Sequence, residues 1–306
     1  MNKKHLHSLK KNPKLAIVGL LSLPCFGWVS DKTFLKIVYK CRTGLTLNLE
    51  HPTRFNEKLN WLKLYDRQKR YIDYVDKYAV RDHVASIIGN EHLIPLVGVW
   101  DDIDSIRFDK LPEKCALKCT HDSGSTVIYE RGISNIAKIK KTLKKALDSD
   151  YYLRGREWPY KFVKRRIIAE KFMQNDDGTN GLTDYKFMCF NGTPRMVFTC
   201  TNRTSMGVNV TFFDTQWNRL PFERHYHADP TPVPKPELFD TMLEYAAKLS
   251  SDIPFVRVDL YEINKQIFFG ELTLYPGCGF EEFEPDEWDT TLGNMLDLSK
   301  QPFDIR

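Results

Sequence analysis

A chain of 306 residues, 42% hydrophobic and 13% aromatic, can bury a substantial core as one large domain or two or three interleaved small ones, which excludes disorder as its default state. The net charge of +5 comes from 45 basic and 40 acidic residues mixed along the chain, a balance that suits a phosphate-bearing ligand and falls short of a nucleic-acid footprint. Seven scattered cysteines without a CxxC pair read as reduced thiols of a cytoplasmic protein rather than a disulfide framework or zinc site.

Lys3, Lys4, Lys10, Lys11 and Lys14 precede an apolar run over 15–29. The run is shorter than the roughly 20 residues of a membrane span and is broken by Pro24 and Gly27. Trp28 and Asp31 stand where a cleavage site needs small residues. Residues 1–30 are therefore expected to form a surface helix or a peripheral contact at the inner face of a membrane. From 31 to 89 apolar residues recur at spacings of three and four: Phe34, Ile37 and Val38; Phe55, Leu59 and Leu62; Val80, Val84, Ile87 and Ile88. That period predicts helices, with Thr53 as an N-cap and Gly89 as a C-cap.

Short β-type runs follow at 93–99, 115–119 and 126–129, then a helix over 134–147. Strands are predicted at 166–173, 185–190, 195–201 and 209–213, the second and third joined by the hairpin dipeptide Asn191-Gly192. Pro230, Pro232, Pro234 and Pro236 lead into a helix over 237–249, and a final hairpin, 255–262 and 266–274, turns at Asn264-Lys265. The fold class expected is α+β, with mostly antiparallel sheets behind a helical N-terminal region.

The strongest chemical signal lies in that last hairpin. Strand alternation puts Arg257 and Asp259 on one face, and Glu271 and Thr273 on one face of the neighbouring strand. Two carboxylates from adjacent strands can meet over one site and hold Mg²⁺, with an Arg beside them to clamp a transferring phosphoryl group. The alternative is a cross-strand ion pair of Arg257 with Glu271 on a solvated face.

A second signal is Lys118 at the end of one strand, followed by His121, Ser123, Gly124 and Ser125 in a small polar loop able to bring backbone N–H groups onto phosphates. A hairpin turn with no ligand has the same composition. A third is the charged pair Glu170-Lys171 within an apolar strand, ahead of Lys186; charges facing inward there need partners, whereas charges on edge strands do not. Asp102-Ile103-Asp104 has the DxD form of some glycosyltransferases, in a context that also fits a solvated turn.

Several segments together resemble the TupA-like ATP-grasp family, associated with surface-polysaccharide biosynthesis: TRFNEKLNWLKLYDR (53–67), DKYAVRDHV (76–84), LIPLVGVWD (93–101), LPEKCALKCTHDSGS (111–125), IIAEKF (167–172), DYKFMCFNG (184–192), FVRVDLYEIN (255–264) and FGELTLYPGCG (269–279). The resemblance implies an ATP-grasp fold, with a helical region and first strand over 31–110, a small subdomain over 111–165 and a large one over 166–306. It implies that Lys77 and Lys118 reach the α- and β-phosphates of ATP, that His121, Ser123, Gly124 and Ser125 cover the phosphates, and that Glu170, Lys171 and Phe172 read adenine and ribose. Lys186 would approach the γ-phosphate, Asp259 and Glu271 would ligate Mg²⁺, and Arg257 would clamp the transition state. It implies Thr273 as a further Mg²⁺ ligand through its hydroxyl, where many ATP-grasp enzymes have Asn, a departure that puts the second metal site in doubt. The implied activity joins a carboxylate acceptor, such as a uronic acid of a capsule or O-antigen precursor, to an amine or amino-acid donor. A glycosyltransferase and a non-catalytic binding protein of the same fold are the rival readings. Tyr226, His225, His227 and Glu281 fall in segments that could wall a substrate site, or in ordinary surface.

Overall fold

The computed structural model describes residues 14–175, 182–202 and 207–300; Lys3, Lys4, Lys10 and Lys11 lie outside them. Helices α1 (Leu15–Leu21), α2 (Asp31–Thr43), α3 (Phe55–Tyr65), α4 (Tyr71–Val75) and α5 (Val80–Ile88) open the described chain. α2 starts where the Ser30 hydroxyl accepts Thr33 N–H at 3.2 Å and stops at Gly44, whose φ of +77° suits only a residue without Cβ. α3 departs from expectation at its start, because Arg54 rather than Thr53 is the N-cap. Glu57 reaches back to take the N–H groups of Thr53 and Arg54 at 3.0 and 3.1 Å, so the end needs no hydroxyl cap. α5 ends at Gly89, as the spacing predicts.

Strands β1 (Leu96–Trp100), β2 (Lys114–Cys119), β3 (Val127–Glu130) and β4 (Ile167–Lys171) form an antiparallel sheet in the order β1-β4-β2-β3. β1 begins three residues later than predicted, since Leu93 is drawn into a parallel bridge with Phe269 of the other sheet. β4 pairs with both β1 and β2, although chain order groups it with the strands that follow. Helix α6 (Ile136–Leu147), N-capped by Asn135, lays Ile139, Leu143 and Leu147 on Cys115, Leu117, Ile167 and Ala169 to make a closed small core.

After helix α7 (Tyr152–Gly155), strands β5 (Asp184–Phe190), β6 (Thr193–Thr201), β7 (Asn209–Asp214), β8 (Phe255–Ile263) and β9 (Gln266–Thr273) build a second antiparallel sheet in the order β7-β6-β5-β8-β9. Asn191-Gly192 and Asn264-Lys265 all have positive φ, the primed-turn geometry whose twist matches the strands they join. Helix α8 (Phe239–Ser250) covers one face of this sheet with Phe239, Met242, Ala246 and Leu249 against Phe187, Cys189, Val256 and Val258. Helix α9 (Glu287–Met295) docks on the start of α3, where the Asp289 carboxylate accepts Asn56 N–H at 2.9 Å. The α+β, antiparallel expectation therefore matches the architecture, and the face of the second sheet opposite α8 carries Lys186, Arg257 and Asp259 beside buried Met188, Phe198 and Phe212.

Candidate functional site

Because β8 alternates, Val256, Val258 and Leu260 are buried in the α8 core while Arg257 and Asp259 project the other way. Strand register aligns Phe198 with Lys186, Lys186 with Asp259, and Asp259 with Glu271. Arg257 stands opposite Thr273 one step along. Four sequence-predicted residues, Lys186, Asp259, Glu271 and Arg257, thus occupy one patch, at the spacing where cross-strand side chains touch.

Arg257 forks onto Asp259 through Nε at 2.6 Å and Nη2 at 2.7 Å, and Nη2 also meets Glu271 Oε1 at 2.6 Å. Lys186 Nζ donates to Asp259 Oδ2 and lies 3.8 Å from Asp184. The cross-strand ion pair weighed above is present, and the face that carries it is only partly open to solvent: the Asp259 side chain is buried, Arg257 and Lys186 are nearly so, and Glu271 is 40% exposed. Burial works to raise the Glu271 carboxyl, but Arg257, Lys186 and Lys77 outweigh it and hold the group low, at about 2. Thr273 Oγ1 donates to Glu271 Oε1 at 3.1 Å, which fixes that carboxylate's rotamer.

Lys77 is held against the loop after β2. It precedes α5, donates from Nζ to the Asp122 carbonyl, and donates its backbone N–H to Thr120 O at 3.2 Å. Burial lowers its ammonium below the ordinary value, Lys118 adds repulsion, and Glu271 and Asp122 pull it back up, so Lys77 lies within electrostatic reach of β2 and of Glu271 alike. Lys118 Nζ pairs with Glu170 Oε2 at 2.5 Å, and Arg81 reaches the same carboxylate at 3.3 Å. The Glu170 charge is therefore inward and partnered on an interior strand, which rules out the edge-strand reading. Lys171, next along the strand, is exposed on the opposite face, and Phe172 lies beneath Lys114 at 4.5 Å.

The loop after β2 turns inward at its start. His121 is 1% exposed, and burial holds its imidazole below the ordinary value. Ser125 is inside as well: its hydroxyl accepts Cys119 N–H at 2.9 Å and donates to Asp122 Oδ1 at 2.7 Å, tying the loop into its own turn. Ser123 and Gly124 alone of the four candidates reach solvent, at the tip. Asp102 caps Asp104 N–H at 3.0 Å and Asp104, 78% exposed, pairs with Lys140 at 2.8 Å, so the DxD residues form a solvated turn.

Sequence reasoning followed the apolar stripe of α3 and missed a polar one beside it. Asn56, Asn60 and Lys63, spaced i, i+4, i+7, point at the turn after the β9 carboxylate. Asn56 exchanges hydrogen bonds with Glu281 O (2.8 Å) and N (3.0 Å), Asn60 donates to Gly279 O at 2.7 Å, and Lys63 to Cys278 O at 2.6 Å. The helical spacing of these polar residues was the available signal. Arg224 was missed too: it pairs with Glu281 at 2.6 Å and lies 4.7 Å over Phe198, whose ring also has Arg257 at 5.9 Å. His225, Tyr226 and His227 line an open pocket of about 340 Å³ with Glu223, Phe283 and two further glutamates.

The sequence model described as TupA-like ATPgrasp matches residues 57–297. This chain belongs to the TupA-like ATP-grasp family. The match takes in both sheets and every candidate site residue. No curated protein matches the chain. Among solved structures, a D-alanine–D-alanine ligase from Helicobacter pylori is 15% identical, with 80% of this chain and 70% of that one covered at a TM-score of 0.39. A RimK domain ATP-grasp protein from Sphaerobacter thermophilus is 10% identical over 76% and 70%, at 0.40. A D-alanine–D-alanine ligase from Bacillus anthracis is 12% identical over 66% of this chain and 57% of its own, at 0.38.

Proposed function

We propose that this TupA-like ATP-grasp protein is an ATP- and Mg²⁺-dependent ligase that joins a carboxylate to an amine. The observation that carries the reading is the row Lys186–Asp259–Glu271 with Arg257 alongside and Lys77 within electrostatic reach of Glu271. Asp259 and Glu271 fit Mg²⁺, which takes one or two protein carboxylates and completes its shell with phosphate oxygens and water. The Thr273 hydroxyl, 3.1 Å from Glu271 Oε1, would add a third oxygen ligand beside them. When bound there, the ion would neutralise charge on the phosphates and polarise the transferred group.

The chain's own residues do the rest by position and charge. Lys77 and Lys118 would hold the α- and β-phosphates, with Ser123 and Gly124 at the tip of the covering loop. Lys186 and Arg257 would stabilise negative charge on the γ-phosphoryl group as it passes to the carboxylate oxygen. An amine then attacks the acyl carbon, phosphate leaves with the acyl C–O bonding pair, and the amine loses a proton. The acceptor proposed is a uronic-acid carboxylate of a surface-polysaccharide precursor, and the donor an amine or amino acid, in the cytoplasm. The glycosyltransferase reading loses its support with Asp102 and Asp104 taken up in a turn.

The deciding experiment is calorimetry of Mg²⁺·ATP on wild type, Lys118→Ala and Glu271→Gln, followed by ADP release with uronic acids and amines. Affinity in each variant is expected to fall about tenfold or more, about 1.4 kcal/mol. Folded wild type that binds no nucleotide would overturn the reading. Binding without ADP release under every carboxylate–amine pair would favour the non-catalytic rival.

A further inference from the structure

We propose that residues 14–40 dock this protein on the surface of a bilayer containing anionic phospholipid, lying on it without crossing it. The inference stands apart from the ligase reading. No charged residue occurs between Leu15 and Val29, yet much of that stretch is outside: Ile17, Leu20 and Leu23 are exposed, and Trp28 is 80% exposed. Isolated apolar residues on a surface are ordinary; four within twelve residues, without a charge among them, form a patch.

The patch is held to the body of the protein. Val18 and Leu21, on the inner side of α1, pack with Phe34, Leu35 and Val38 of α2 in one cluster. Arg156, fully buried, stacks 4.6 Å over Phe34 and donates to Phe26 O at 3.3 Å, so the segment after α1 is fixed as well. The exposed apolar side chains are thus presented by a packed platform, and no helix among the described residues is long and apolar enough to cross a membrane.

Charge selects the occupant. Lys32, Lys36 and Lys40 recur every fourth residue on the outer side of α2, Lys14 opens α1, and all four are exposed. Lys3, Lys4, Lys10 and Lys11 add to the same end of the sequence. A second copy meeting this face about a two-fold axis would set these lysines near their own counterparts. An anionic lipid surface takes both components at once, the apolar side chains at the acyl boundary with Trp28 at headgroup level and the ammonium groups among phosphates.

The test uses the full chain in vesicle sedimentation, with phosphatidylglycerol–phosphatidylcholine vesicles against phosphatidylcholine alone, at low and high salt. Wild type is expected on the anionic vesicles at low salt and to be released by salt. The double change Leu20→Asp/Leu23→Asp should weaken that binding roughly tenfold or more. The triple change Lys32→Gln/Lys36→Gln/Lys40→Gln should weaken it about a hundredfold. Circular dichroism and Mg²⁺·ATP calorimetry on the same variants, unchanged from wild type, establish that only the surface has been altered. Absence of vesicle binding by wild type, or equal binding by both variants, overturns the proposal. A concentration-dependent dimer in ultracentrifugation that Leu20→Asp/Leu23→Asp abolishes also overturns it, in favour of a second copy.

Discussion

Asp259 and Glu271 sit directly opposite each other, and two carboxylates at that spacing coexist because the Arg257 guanidinium reaches both. The Glu271 group is held at about 2 against an ordinary 4.5, so its folded value lies below its unfolded one. Its stabilising contribution is then present above about pH 4.5 and is lost as pH falls toward 2. Thermal melts between pH 5 and 2 should show Tm falling less steeply in Glu271→Gln than in wild type. Lys63 carries the opposite sign. Burial lowers its ammonium from 10.5 to about 8, so between those values the unfolded chain holds a proton that the folded chain has released. Lys63 therefore adds stability as pH rises through that window, about 3 kcal/mol in full. Buried Cys115, Cys119 and Cys189 act against it above their ordinary value of 9.0. The readout is accordingly the difference between wild type and Lys63→Met in urea midpoints at pH 7.5 and pH 9.5, which should grow with pH; a constant difference would sink the assignment.

At the scale of elements, α3 does two jobs with two stripes. Phe55, Leu59 and Leu62 enter the large core, while Asn56, Asn60 and Lys63 hold the backbone that follows β9. α9 closes over the start of α3 so tightly that a Cβ on Gly293 would lie 2.0 Å from Thr53 O and 2.9 Å from Phe55 N. Backbone cannot yield as a flexible side-chain end can, and Gly293→Ala should cost about 1–3 kcal/mol in urea unfolding. Gly19→Ala in α1, where nothing lies within 4 Å, should instead be neutral or gain up to roughly 1 kcal/mol. The same contrast explains what was legible in the sequence. Alternation inside one hairpin put Arg257, Asp259, Glu271 and Thr273 on their faces, and the turns at Asn191-Gly192 and Asn264 were readable because positive φ selects Asn and Gly. The row's other member, Lys186, depends on pairing between strands about 70 residues apart, which no local period reveals. The burial of His121 is hidden from the sequence for the same reason: its loop is turned inward by Ser125 and Asp122, a tertiary outcome of an ordinary polar segment.

The whole molecule is two sheets with separate cores, and the contacts across the seam gather at residues 76–81. Val80 roots this segment in the large core, while its polar members reach the small sheet. Asp76 pairs with Arg166 at 2.7 Å, Lys77 binds the Asp122 carbonyl, and Arg81 meets Glu170. Each of these lies beside a residue proposed to touch nucleotide, so on that reading the seam that joins the sheets also borders the nucleotide. Asp76→Ala tests this arrangement without touching either apolar core. It leaves the Arg166 guanidinium, 16% exposed and stacked 4.4 Å from Tyr78, without its carboxylate, at a cost of about 3 kcal/mol. Because that loss falls on the junction, hydrogen exchange should accelerate in β2, β3 and β4 while β5, β6 and β8 keep their protection. Mg²⁺·ATP, which on the proposed reading contacts both sheets, should restore much of the lost protection by binding the joined form. Uniform acceleration across both sheets would show instead that the two cores unfold as one unit and that the seam is no more than a local contact.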